Sequence, residues 1–149
     1  MNRLQKRDQL IIEKFLGISS WEDRYKLIIQ LGKSAEPLAE QHKTKKWLVK
    51  GCQSQVWLYA FQDDKGAVIF QADSDALITK GLIALLVEYY SGLSPKEIIT
   101  HQIPGFLEKL ELKNHLTPTR VGGLFSMVRH IQNYAQVFYI MSQNQKSLT

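Results

Sequence analysis

One stretch of this chain is patterned for a β-hairpin, and the segments on either side of it are patterned for helix. Residues 56–61, Val-Trp-Leu-Tyr-Ala-Phe, are β-branched and aromatic on both faces, the composition of a strand covered on both sides or nearly so. Gln62-Asp63-Asp64-Lys65-Gly66 is turn chemistry. Residues 67–71 return, with Val68 and Phe70 facing one way and Ile69 the other. A short strand around Trp47, Leu48 and Val49 would complete a three-stranded antiparallel sheet. With helices before and after it, this block argues for an α+β fold, its helices packed on one face of a small antiparallel sheet.

The helical segments are bounded by local signals. Leu4, Leu10, Ile11, Ile12 and Phe15 mark a first helix over Arg3–Leu16, with Gly17 as its stop. Ser19 and Glu22 have the spacing of a capping box. They open a second helix over residues 21–31, which Gly32 is expected to end. Residues 33–46 read as a polar surface loop or partly helical connection. After the hairpin, Asp73-Ser74-Asp75 reads as a helix cap with favourable negative charge. The apolar spacing from Leu77 to Tyr89 follows, and Gly92-Leu93 reads as a Schellman ending. Ser94-Pro95-Lys96-Glu97 is a second capping box with proline at the first helical position. A short element is expected over residues 104–110. Thr117-Pro118 opens the longest helix, predicted to reach about Met141, with a frayed polar tail from Ser142.

Composition narrows the class. The chain has 149 residues, 44% hydrophobic and 22% charged, with net charge +5, which fits a single domain with a substantial core. No stretch approaches the roughly 20 apolar residues that span a bilayer, and the first residues hold no apolar signal core. The expectation is a soluble cytoplasmic protein in which a thiol stays reduced.

That thiol, Cys52, is the only cysteine. It lies in Gly51-Cys52-Gln53-Ser54-Gln55-Val56-Trp57, at the junction of a loop and a strand, where reactive groups are often displayed. Alone it forms no intramolecular disulfide and no thiolate cluster. It packs silently, or it acts as a single nucleophile. The small polar residues after it and Gly51 before it favour the nucleophile. A hydrolase would need a histidine within reach, and His101 and His115, both near loops, are the candidates. The four histidines have no metal-ligand spacing. Lys43, Lys45, Lys46 and Lys50 cluster before the cysteine; they suit a solvated loop or an acidic protein partner better than nucleic acid, which wants a longer basic face interleaved with free aromatics. If they aid docking, partner binding should weaken with salt. Arg120, in the first turn of the last helix, opposes the helix dipole at a cost of about 0.5 kcal/mol. It is therefore a candidate for another task, such as contacting a carboxylate or a sulfur anion.

Taken together, Trp21-Glu22-Asp23-Arg24-Tyr25, Leu31-Gly32, Gly51-Cys52-Gln53-Ser54-Gln55-Val56-Trp57, Asp73-Ser74-Asp75-Ala76, Lys80-Gly81-Leu82 and His115-Leu116-Thr117-Pro118-Thr119-Arg120 followed by Gly123-Leu124 resemble the SufE family, sulfur-acceptor proteins of iron–sulfur cluster assembly. The resemblance covers nearly the whole chain in family order. It implies one domain over residues 1–149 with a SufE/NifU-like α+β fold and Cys52 at a loop tip. Cys52 would accept a persulfide sulfur from a SufS-like cysteine desulfurase, stimulate that enzyme, and pass the sulfur to a SufBCD-like scaffold. It implies no cofactor on this chain, pyridoxal phosphate belonging to the desulfurase, and no nucleic-acid or membrane partner. The protein would be an accessory carrier rather than an enzyme. Gly51, Gln53, Ser54 and Gln55 would shape the cysteine loop, with Asp75 and Arg120 as candidates for lining the site or the partner surface. A sister group, the CsdE type, usually carries Glu-Asn-Arg after the cysteine; Gln53-Ser54-Gln55 favours the SufE side. Mild departures are Ala72 in place of a common glycine, Val121-Gly122 in place of a more polar pair, and a longer tail.

Overall fold

The structure is a computed structural model that describes residues 2–100 and 103–148. Helix α1, Arg3–Leu16, starts at Asn2, whose side chain accepts from the Gln5 amide while Gln5 returns a bond to the Asn2 amide. Helix α2 spans Trp21–Ser34. Its cap lies one residue later than the sequence pattern predicts: Ser20, not Ser19, accepts from the Asp23 amide at 3.2 Å.

Gly32 does not end α2. The helix runs on to Ser34, and Gly32 is buried where α2 crosses the helix after the hairpin. A Cβ on Gly32 would stand 2.8 Å from the Gly81 amide nitrogen, and one on Gly81 would overlap the Ile28 carbonyl. The two glycines let the backbones touch, so a residue that resembles a stop signal is a packing device.

Residues 40–42 and 45–47 form two 3₁₀ turns, Glu40–His42 and Lys45–Trp47. Strands β1, Val56–Gln62, and β2, Val68–Ser74, pair antiparallel from Val56 opposite Ser74 to Gln62 opposite Val68. Asp63 Oδ1 accepts from the Lys65 and Ala67 amides, both at 2.9 Å, and closes the turn. The expected third strand shrinks to one bridge, Leu48 opposite Trp57, with the Val49 amide donating to the Val56 carbonyl at 2.8 Å. Trp47 is still curled in its 3₁₀ turn, so too few residues are extended to build a ladder.

Val56, Leu58, Ala60, Val68 and Phe70 face the core. The outer face of β1 is half-covered, as its aromatic content predicts. The cover comes from side chains of the 3₁₀ turns: His42 stacks on Tyr59 at 3.7 Å and Trp47 meets Tyr59 edge-on at 4.9 Å.

Helix α3, Leu77–Tyr90, is the central pillar, with Leu82, Leu85, Leu86, Tyr89 and Tyr90 at 2% exposure or less. It packs against α2 and β2. Gly92 has the positive φ, +87°, of a left-handed helix ending, but its amide donates to Val68 rather than back into α3, and the Val68 amide donates to Leu93. The helix end is thereby stitched to the hairpin.

Helix α4, Pro95–Ile99, has the full Ser94/Glu97 capping box. Short helices α5, Gly105–Lys109, and α6, Leu112–His115, lead to α7, Pro118–Leu148. Where the sequence pattern predicts a frayed tail from Ser142, the helix continues to Leu148. With no glycine or proline after Gly123, nothing breaks the helical ladder before Leu148, and Ser142 Oγ donates back to the Phe138 carbonyl at 3.0 Å. Leu124, Met127, Val128, Ile131 and Ala135 bring the first part of α7 into the core. Among the described residues no helix is long and apolar enough to cross a membrane.

Candidate functional site

The cysteine loop sits between the Leu48 bridge and β1 and rests on α7. Gly51 takes φ +90°, a left-handed conformation that glycine adopts without strain. A Cβ there would lie 2.5 Å from Ser126 Oγ, so the loop backbone lies directly on the α7 surface. One residue on, Cys52 Sγ donates to the Gly123 carbonyl at 3.7 Å, and a Cβ at Gly123 would stand 3.5 Å from the sulfur. A glycine inside a helix costs about 1 kcal/mol relative to alanine. Gly123 places the sulfur against bare helix backbone in return.

Cys52 is half-buried at the wall of a cavity of about 60 Å³. Val56, Leu82, Ile83 and Met127 make its apolar wall; Thr79 and Arg120 add polar groups. That room exceeds the 10–15 Å³, about one probe sphere, that a single water needs. Burial pushes the Cys52 thiol above its ordinary pKa, because a low-dielectric setting disfavours the thiolate. Burial here favours the thiol over the thiolate.

Gln53 and Ser54 also line the cavity, whereas Gln55 does not. Gln55 is tied to Asp75 instead: its amide donates to Asp75 Oδ1 at 3.1 Å, and the Asp75 amide donates to the Gln55 carbonyl at 3.3 Å. Of the two outlying candidates, then, Arg120 reaches the cavity and Asp75 fastens the base of the loop. The Arg120 amide donates to Thr117 Oγ1 at 3.2 Å, which caps the first turn of α7 at the cavity edge.

Asp73 is not a helix cap. β2 runs three residues further than the predicted 67–71, so Asp73 lies in the strand, and α3 starts after Ala76 without a side-chain cap. Asp73 is 7% exposed. Its carboxylate meets Lys43 Nζ at 3.0 Å and Lys80 Nζ at 3.4 Å, and accepts from the Ser74 amide at 2.8 Å. Burial alone would raise its pKa; the Lys43 and Ser74 hydrogen bonds and the charge of Lys80 outweigh it and hold the group below the usual carboxylate range. Lys43 is held above the usual lysine range by its bonds to Glu40 and to Asp73. This cluster ties the segment before the cysteine loop to α3. Its sequence signal, an aspartate at the end of a strand, is hidden behind the cap-like Asp-Ser-Asp string. Ser74 does keep a turn role, accepting from the Ala76 amide at 3.3 Å.

The described histidines are engaged elsewhere. His115 stacks on Trp21 at 3.9 Å, and its carbonyl accepts from the Tyr25 hydroxyl. His130 Nδ1 lies 2.8 Å from the Ser126 carbonyl. His101 lies outside the described residues. Among the described residues no histidine lines the cysteine cavity, and no group of three metal-ligating side chains converges. Sequence reasoning missed Gly123, Ser126, Thr79 and Met127. Only Gly123 left a trace, being one of two adjacent glycines in a helix.

A family model described as SufE, Fe-S metabolism associated domain, matches residues 9–135. The chain belongs to the SufE family. The match takes in the cysteine loop, the hairpin, α3 and the start of α7, and associates the protein with iron–sulfur metabolism. The fold is also that of a solution structure of a hypothetical protein from Thermus thermophilus, with 21% identity and a TM-score of 0.73 over 90% of this chain and 96% of that one.

Proposed function

We propose that this SufE-family protein is a single-domain, non-catalytic sulfur carrier that accepts a persulfide sulfur on Cys52 from a pyridoxal-phosphate-dependent cysteine desulfurase, stimulates that enzyme, and delivers the sulfur to an iron–sulfur scaffold in the cytoplasm. The observation that carries this reading is the half-buried Cys52 sulfur at the wall of a small cavity lined also by Arg120, with no histidine among the described lining residues and His115 stacked on Trp21 instead. A hydrolase needs a base at the sulfur; a carrier needs a thiol that is sheltered between partners.

The chemistry is thiol–persulfide exchange. Cys52 loses its proton to solvent, and its thiolate attacks the outer sulfur of the donor persulfide. A bond forms from Cys52 Sγ to that sulfur while the donor sulfur–sulfur bond breaks, and the electron pair leaves on the donor thiolate. No oxidant or reductant is consumed. Delivery is the same exchange with a recipient thiol attacking Cys52's outer sulfur. A second cysteine nearby could attack the persulfide and close a disulfide; this chain has none.

In this position Cys52 is half-buried against Gly123 and burial favours its thiol form, so in the loading step the loop lifts from Gly123. Gly51 supplies the pivot, while the Gln55–Asp75 bonds keep the base of the loop in place. Once loaded, the outer sulfur can return to the cavity, where Arg120 and the N-terminal turn of α7 favour negative charge.

Intact-protein mass spectrometry after incubation with a desulfurase and free cysteine tests the carrier role. The expected result is added mass of one or more sulfur atoms, removed by reductant and absent in Cys52→Ser. No added mass with an active, bound desulfurase overturns it. Alkylation tests the loop: Cys52 should react faster with the desulfurase bound, through a non-reacting active-site variant of that enzyme, and equal rates exclude the lifting step.

A further inference from the structure

The structure sorts the lysines around the cysteine loop into two kinds. Lys43, which the sequence groups with the others, is withdrawn: its ammonium is shared between Glu40 and Asp73 and lies 5.9 Å from the Trp57 ring. Lys45, Lys46 and Lys50 are exposed and form no ion pair among the described residues. Lys50 is two residues from Cys52. On the α7 side, Arg129 is exposed and donates to Ser126 Oγ, the atom against which Gly51 packs. Leu48, 36% exposed, lies between Lys46 and Lys50 in the chain, and Leu77, 59% exposed, opens the helix whose Thr79 lines the cysteine cavity. Apolar spots inside a charged rim are the usual anatomy of a protein–protein interface.

We infer that Lys45, Lys46, Lys50 and Arg129 form a cationic docking rim that steers an acidic surface of the sulfur-donating enzyme onto the cysteine loop. This rests on the carrier function proposed above and adds the partner's chemistry: a protein face with carboxylates around its persulfide. Nucleic acid fits less well, because binding a single strand needs free aromatic faces on which bases stack. Here Lys43 lies near Trp57, Lys46 lies 4.9 Å from the Trp47 ring, and His42 covers Tyr59. Withdrawal of Lys43 also divides the work: that lysine braces the loop segment, and its neighbours meet the partner.

The test uses the full chain and the holo-desulfurase that loads Cys52 in the mass assay. Association is followed by stopped-flow fluorescence at low and high salt for wild type, for Lys45→Glu/Lys46→Glu/Lys50→Glu, and for Lys65→Glu. Lys65 lies in the hairpin turn at the far end of the strands from Cys52, about 20 Å away along a seven-residue strand. The expected result is an on-rate about tenfold or more slower in the triple variant, a wild-type rate that falls with salt, and a Lys65→Glu rate within about twofold of wild type. Equal on-rates for wild type and triple variant overturn the rim while leaving a normal mass shift, and so the carrier function, intact. A Cys52 that no desulfurase loads overturns the carrier function and the rim with it. Salt-sensitive binding of a mixed single-stranded oligonucleotide through the same lysines, with desulfurase on-rates unchanged, reassigns the patch and also overturns the proposal.

Discussion

Two glycine contacts bring separate segments of this fold into close approach, and they are built to opposite ends. Where α2 crosses α3, Gly32 and Gly81 press backbone against backbone, and neither position has room for a methyl group. Where the cysteine loop meets α7, Gly51 presses on Ser126 and Cys52 on Gly123, but a cavity of about 60 Å³ lies alongside. The first contact is inside the core and joins two long helices. The second joins a short loop to a helix through the Gly51–Ser126 approach and one 3.7 Å sulfur hydrogen bond. Close approach welds in one place and, in the proposed loading step, provides a removable seat in the other; the difference lies in how much else is buried around it.

Substitutions can break or sharpen that contrast. The largest effect is expected at the weld. Gly81→Ala would drive a methyl into the Ile28 carbonyl and force α2 and α3 apart, costing about 3 kcal/mol or more; Tm should fall on the order of 10 °C, read by calorimetry. Asp73→Asn comes next. It leaves Lys43 and Lys80 without their shared anion, for a loss of about 2 kcal/mol in urea unfolding, below the range for fully buried pairs because both lysines keep contact with solvent. The sign with pH follows from its depressed pKa. Asp73's contribution is present above the unfolded aspartate value of about 3.9 and is lost as pH falls through the lower folded value. The wild type should therefore lose its advantage over Asp73→Asn on acidification.

Gly51→Ala tests the seat. Positive φ and the Ser126 contact make alanine strained there. The loop can relieve the strain by lifting, so the expected cost is only about 1 kcal/mol, with Cys52 alkylated several-fold faster than in wild type. A loss as large as that of Gly81→Ala would mean that the loop contact is a weld after all. The smallest effect is expected for Cys52→Ser, within about 0.5 kcal/mol of wild type, because the sulfur is half-buried and makes a single weak hydrogen bond. In the wild type, the rate of Cys52 alkylation should rise with pH along a curve displaced above that of free cysteine, since burial raises the thiol.

Much of this architecture is written in local signals. The α1 span, the hairpin turn, the Ser94/Glu97 box and the loop position of Cys52 all follow from spacing and capping chemistry, because each depends on residues within a few positions of one another. Two of the misreadings are cases where a distant partner decides. Gly32 resembles a helix stop until Gly81 is placed across from it. Asp73 resembles a cap until Lys43 and Lys80 converge on it from separate segments. Trp47, Leu48 and Val49 have strand composition, but the preceding 3₁₀ turn leaves only one bridging position. In α7 the polar glutamines and asparagines resemble a frayed tail, yet the helix continues to Leu148. At the site, the cysteine motif is legible residue by residue. Its seat on Gly123 and Ser126 is not, because more than seventy positions separate the loop from α7.

The length of α7 has a practical consequence. Its last buried residue is Ala135, and residues 136–145 are exposed or half-buried. From Gly123, under the sulfur, to Leu148 the helix axis extends on the order of 37 Å at 1.5 Å per residue. Because Cys52 is the sole thiol, one dye attaches to it alone, and a second fused after α7 rides on the helix. The protein thus carries its own optical ruler for the loop movement that the proposed loading step calls for.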